Sequence, residues 1–350
     1  MKRILLASAS IVAFAGAAAA EITFSGEATL GYNDTDNVIL DTTAPFLDTV
    51  DDAVGFYWDA SVDVTMSQAL DNGLTAAASF GLNVVDGNLG ESVSSSDYVL
   101  SLTSDTAGLY FGNTEFAAVT HWTSAGDMEA DGFSEEDGET VLRGDITFGG
   151  VSSSVSYIVD GENLEQLSLG ADATFGTISV AFGYQESTDF TNGNINPSEV
   201  IGVSVGTTFG GADVRLAYAQ DDIQETIAVK VSYPFGPVTV GASYAVESVA
   251  DDFWEVSADY ASGAIKANVN YDSNEEWELT GSYDVGNGIT AYAGVVDSGD
   301  DYYVAGSVAL GEGASLLVSY VQTGDTDNAD DEIGPNDYQE GATVELGFSF

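Results

Sequence analysis

The sequence predicts an all-β protein, a transmembrane antiparallel up-and-down β-barrel. Three observations carry this. Apolar and polar residues alternate along most of the chain, in arms joined by tight glycine turns. A Phe recurs at such turns with a Tyr nine residues later, as Phe148…Tyr157, Phe175…Tyr184, Phe209…Tyr218 and Phe235…Tyr244. The chain opens on an export signal, yet no later stretch approaches the ~20 apolar residues of a membrane helix.

The stretch Glu165 to Ser187 shows the plan. Leu167, Leu169, Ala171, Ala173 and Phe175 fall on one face, and Gln166, Ser168, Gly170, Asp172 and Thr174 on the other. After Gly176 the apolar face resumes as Ile178, Val180, Phe182 and Tyr184. At a strand rise of about 3.3 Å and a tilt of about 45°, nine residues climb roughly 21 Å, close to the ~25 Å apolar band of an outer-membrane barrel. The Phe and Tyr then mark the two lipid–water interfaces.

Residues 1–20 read as a signal peptide, with Lys2 and Arg3 before an apolar run and small residues before Glu21. Residues 21–350 read as one barrel domain. There are no cysteines, so no disulfide supports the fold. The formal net charge is −51, with 57 acidic residues against 6 basic ones. Loss of Lys2 and Arg3 makes it more negative still and leaves only Arg143, Arg215, Lys230 and Lys266. Such a chain repels nucleic acid and anionic membrane surfaces and attracts small cations. Adaptation to a saline habitat is the alternative explanation for much of this acidity, without any selectivity.

The elements follow in order. The first strand covers 21–33, with Ile22, Phe24, Ala28, Leu30 and Tyr32 on its apolar face. An Asp- and Thr-rich external loop follows at 34–53. Strands near 54–66 and 74–85 flank a turn at Asp71-Asn72-Gly73, and strands near 97–104 and 108–114 flank 105–107. Residues 115–140 lack a period of two. From 141 the alternation returns, with short turns near 149, 176, 210, 236, 262, 287 and 312. Acidic or polar connections lie between them, the last at 324–338. The final strand covers 339–350. Counting hairpins gives up to twenty strands, whose first and last members pair to remove exposed edges.

A soluble β-sandwich has a similar pattern. The export signal, the spaced aromatics, the strand number and terminal Phe350 favour the membrane. A closed sheet of this width leaves an aqueous lumen lined by its polar face.

The start EITFSGEATLGYN at 21–33, VTMSQALDNGLTAAASF at 64–80, YFGNTEF at 110–116 and the end VELGFSF at 344–350 together resemble the Gram-negative general porins, the Rhodobacter type above all. The resemblance implies a homotrimer in the outer membrane, sixteen strands per barrel and a third external loop folded into the lumen. It also implies passive diffusion of small hydrophilic solutes and ions, with no catalysis and no required cofactor.

That loop would be about 115–140. Its Glu115, Asp127, Glu129, Asp131, Glu135, Glu136, Asp137 and Glu139, with His121, would form the constriction. Carboxylates there would favour cations. Family porins set basic side chains on the opposite wall, but the aligned positions here are Asp59 and Ser61. Asp59, Asp63, Arg143, Arg215, Lys230 and Lys266 are expected on the lumen wall, since charged groups belong there rather than in lipid. The expectation is a cation-preferring pore. The alternatives are a substrate-specific channel with a saturable site, and an adhesive barrel with no open pore.

Asp127-x-Glu129-x-Asp131 begins like an EF-hand loop, but the twelfth position is Gly138. It is a weak candidate for calcium, as are Asp325, Asp327, Asp330, Asp331 and Glu332. A hydrolase would need a base, and the one His, His121, has Ser124 and Asp127 nearby but no G-x-S-x-G elbow.

Overall fold

The computed structural model describes residues 20–34, 55–86, 93–190, 192, 194–324 and 333–350. Residues 1–19, which carry the expected signal peptide, most of the expected first loop at 34–53, and the acidic residues 325–332 lie outside the described residues.

Alternation produces twenty strands among the described residues. In the first half these are β1 (Glu21–Asn33), β2 (Gly55–Ala69), β3 (Thr75–Asp86), β4 (Ser94–Thr103), β5 (Ala107–Gly112), β6 (Val141–Phe148), β7 (Val151–Asp160), β8 (Asn163–Phe175), β9 (Ile178–Gln185) and β10 (Val200–Phe209). The second half holds β11 (Ala212–Gln220), β12 (Glu225–Phe235), β13 (Val238–Glu247), β14 (Phe253–Ser262), β15 (Ile265–Asp272), β16 (Trp277–Gly286), β17 (Ile289–Val296), β18 (Asp301–Gly311), β19 (Ala314–Gln322) and β20 (Gly341–Ser349). One short helix, α1 (Ala117–His121), sits between β5 and β6.

Each strand pairs antiparallel with the next, and β20 pairs with β1 to close the cylinder. Phe350 extends the seam by exchanging backbone hydrogen bonds with Gly26 at 2.8 and 3.3 Å. The hairpin count therefore holds, and the sixteen strands implied by the family resemblance do not. The reason is local: every glycine turn from 149 onward closes a two-strand hairpin of the sheet itself. At Gly149-Gly150 and Gly210-Gly211 both central residues have positive φ, the geometry that matches the twist of the flanking strands.

The apolar face points outward. Phe24, Leu109, Ile146, Leu216, Ile227 and Val304 are all exposed on the isolated chain, as are the turn residues Phe148, Phe209 and Phe235. A soluble protein does not leave so continuous an apolar belt in water, whereas a bilayer covers it. No helix among the described residues is long and apolar enough to cross a membrane, which says nothing of strands.

Buried apolar side chains lie inside the cylinder, where segments between strands pack on the wall. One such segment is 113–140. Another, not expected from the sequence, is the described end of the β19–β20 connection. There Ile333 bridges to Tyr338, and the Tyr338 ring lies 5.3 Å from that of Tyr303 and 6.3 Å from that of Tyr292. Gly294 makes room, since a Cβ there would sit 2.3 Å from the Tyr303 ring. The reading of 324–338 as simply external needs this correction at its C-terminal end. A pattern search for period two has no means of seeing a turn that folds back.

Candidate functional site

The loop between β5 and β6 is held by contacts along its whole length. Its short helix starts against the wall of β7 and β8. The first amides of a helix lack internal partners, and here the Ala117 and Ala118 N–H groups donate to Ser156 Oγ and Ser168 Oγ, each at 2.9 Å. His121 closes the helix. Its Nδ1 lies 2.5 Å from Asp172 Oδ1 and its Nε2 2.7 Å from Ser154 Oγ. A carboxylate only accepts, so Nδ1 carries the proton.

This order of Ser154, His121 and Asp172 has the connectivity of a hydrolase triad. Ser154 is buried, however, and the arrangement pins the loop to the wall. The nearby Ser124 and Asp127 are not the partners of His121.

Small residues make the bed. Gly170, Gly183, Gly202 and Ala219 are successive register partners across β8, β9, β10 and β11. A Cβ on Gly170 would lie 1.9 Å from the Ala117 carbonyl oxygen. On Gly183 it would meet the Phe133 ring at 2.8 Å, and on Gly202 the Trp122 ring at 2.6 Å. Beside this row, Ala217, Ala228 and Ala245 are register partners too, and with Ala219 they bury Ala125, Met128 and Ala130 of the loop. A β-bulge at Gln166, whose φ is 38°, turns its amide inward to Ser134 Oγ at 3.0 Å. Bulges of this kind re-aim side chains at functional sites.

The expected constriction residues divide into two groups. Glu115, Asp127, Glu129, Glu135 and Asp137 are exposed. Glu139 is buried, accepts from the Asp137 N–H at 2.8 Å and from Asn192 Nδ2 at 2.9 Å, and so shapes the loop. Glu136 accepts from Asn113 Nδ2 and the Gly138 N–H. Burial raises its pKa, against those two hydrogen bonds. Asp131 accepts from Trp122 Nε1 at 2.9 Å. Burial pushes its carboxyl up to about 6; the Trp122 bond opposes this, and the charges of Asp127 and Glu247 add to it.

Among the described residues no group of three or more His, Cys, Asp or Glu side chains is arranged to hold a metal ion, at Asp127, Glu129 and Asp131 or elsewhere.

The four basic residues take separate places. Arg143 lies under the loop, donating to the Glu115 carbonyl at 2.8 Å and pairing with Asp145 at 3.1 Å. Arg215 and Lys230 are register partners on β11 and β12. Lys266 lines a cavity of about 730 Å3 with Asp259, Glu278 and Tyr292. Asp59 and Asp63 are exposed on β2, which lies about half the circumference from β11 in a ring of twenty. On that far side Glu345 accepts from Tyr57 Oη at 2.7 Å.

A closed antiparallel cylinder, greasy outside, polar inside and with a loop anchored to its inner wall, defines a transmembrane β-barrel channel. The chain belongs to the Gram-negative porin family, whose sequence model matches residues 7–296. It is thus an outer-membrane channel protein and not an enzyme. Among solved structures it is similar to a double mutant of the Rh. blastica porin, at 14% identity and a TM-score of 0.46. A triple mutant of the Rhodopseudomonas blastica porin gives 14% and 0.47. Both alignments cover 95% of this chain and 100% of the other. No curated protein matches. The family assignment rests on the sequence model.

Proposed function

We propose a cation-preferring general-diffusion pore, secreted through residues 1–20 and assembled as a homotrimer, that passes small hydrophilic solutes down their gradients. One observation carries the ion preference. Acid lies on both sides of the lumen, with the loop carboxylates on one wall and Asp59 and Asp63 on the wall half a circumference away. The basic partner that would set up a transverse field is missing from β2, and Arg143 is engaged by Asp145 and the loop backbone. Clustered like charge in a narrow aqueous path raises the local concentration of counter-ions.

The test is the reversal potential of purified protein in a planar bilayer under a KCl gradient. At pH 7.5 it is expected on the cation side. On acidification to pH 5 Asp131 takes up its proton, because its carboxyl titrates at about 6, and the potential moves toward zero. The folded-state value lies above the ordinary 3.8, so ionising Asp131 costs the seated loop stability. That stability is greatest below the ordinary carboxylate range and declines as pH rises through about 6. A reversal potential on the anion side would refute the reading. One that is flat between pH 7.5 and 5 would remove Asp131 from it.

A further inference from the structure

Like charges directly opposite each other on adjacent strands are destabilising. After the signal segment this chain has four basic residues, and two of them, Arg215 and Lys230, are direct register partners. Among the described residues neither has a carboxylate within ion-pair distance, although the chain has 57 acidic residues to choose from. Their neighbours are hydroxyls instead. Arg215 Nη1 donates to Ser204 Oγ at 2.9 Å and Nη2 to Ser179 Oγ at 3.3 Å. Those bonds hold the guanidinium against Gly206, where a Cβ would come 3.0 Å from Nη2. They use two of the five N–H donors and leave three. The Lys230 side chain is exposed and no hydrogen bond of its ammonium is found among the described residues. Both side chains line one cavity of about 260 Å3, together with Ser179, Thr207, Thr208 and Ser232. The one carboxylate in it, Asp213, accepts from Thr208 Oγ1 at 2.6 Å.

We propose that Arg215 and Lys230 form a binding site for a tetrahedral oxyanion, inorganic phosphate or the phosphate of a small solute, on the lumen wall beside the loop. A planar fork fixed by two serines beside an unengaged ammonium matches the geometry and charge of a phosphate. The surrounding hydroxyls supply further donors. A dianion between the two cations turns their mutual repulsion into attraction. The site is local: the acidic lumen excludes anions in general, and this pair would give a phosphate one place to stop within it.

The experiment is 31P NMR of inorganic phosphate titrated into the detergent-solubilised full chain at pH 7.5, with chloride balancing the ionic strength. Line broadening is expected to saturate at one phosphate per barrel. Lys230→Gln and Arg215→Gln should each weaken the apparent affinity by about tenfold or more, the scale of a lost charge-assisted hydrogen bond. Lys266→Gln, a cation elsewhere in the lumen, should leave it unchanged. The Lys230 side chain makes no hydrogen bond among the described residues, and Gln leaves its backbone ladder intact, so this variant remains informative if Arg215→Gln does not assemble. Broadening that is absent, that grows without saturating, or that falls equally in Lys266→Gln would overturn the proposal. The readout needs no current, so it stands apart from the ion preference argued above.

Discussion

Replacing Gly170 with Val is expected to open the channel. The new Cβ would fall 1.9 Å from the Ala117 carbonyl oxygen, a backbone atom at the start of α1 that no rotamer change can move. It would also press on His121 Cδ2 at 2.7 Å. Overpacking of this kind costs about 1–3 kcal/mol, which shifts the equilibrium between seated and unseated loop by about 5- to 150-fold. The barrel closes through its own backbone ladders from β1 to β20. Single-channel conductance should therefore rise and become noisier, and the ion preference should fall with it. Gly144→Ala is the matched control, since its Cβ would meet nothing closer than a Val155 methyl at 3.8 Å. Unchanged conductance in a correctly assembled Gly170→Val barrel would mean that the loop does not limit flow. If that variant fails to assemble, Gly202→Ala makes the same test against the Trp122 ring, 2.6 Å away.

The second large effect is on selectivity. A combined Asp127→Asn, Glu129→Gln and Asp131→Asn variant removes three carboxylates from the loop without altering its apolar packing. The amide oxygen that replaces the Asp131 carboxylate can still accept from Trp122 Nε1, and the apolar anchors Ala125, Met128 and Ala130 are untouched. Charge clustered in a confined lumen sets potentials of several kT, so the cation-to-anion permeability ratio should drop several-fold. The difference from the unmodified chain should shrink at 1 M salt, where the Debye length is about 3 Å. A ratio that stays the same would place the ion preference elsewhere, with Asp59, Asp63 and the acidic outer loops as the next residues to change.

Much of this architecture was legible in the chain because it is written in neighbouring residues. The alternation of Leu167, Leu169 and Ala171 with Gln166, Ser168 and Gly170 states which face is which, and Gly176 or Gly210-Gly211 states where the strand reverses. The break in rhythm at 115–140 located the loop that follows Gly112, the last residue of β5. Partners that lie far apart in sequence left no such trace. His121 meets Ser154 and Asp172, 33 and 51 residues away, so its nearer neighbours Ser124 and Asp127 were the wrong guide. The glycine bed was visible only as scattered LGAD, FGY and IGV segments. It becomes a row once the strand register is known, and a hairpin-by-hairpin alignment of lumen-side positions would have found it. Tyr338 and Glu139, read as external loop and pore lining, are buried for the same reason: each is covered by a segment that the local pattern does not connect to it. The family resemblance identified the class well but was misleading on strand number, where the count of turns was the better guide.

The central claim is that side chains alternate between lipid and a water column along each strand. The chain has no cysteine, so single substitutions report cleanly. Leu279 on β16 is exposed on the outer face, and its neighbour Thr280 lines the lumen cavity beside Lys266. In proteoliposomes a charged, membrane-impermeant thiol reagent should label Thr280→Cys rapidly and leave Leu279→Cys largely unmodified. Equal labelling at the two positions, or the reverse order, would contradict the account.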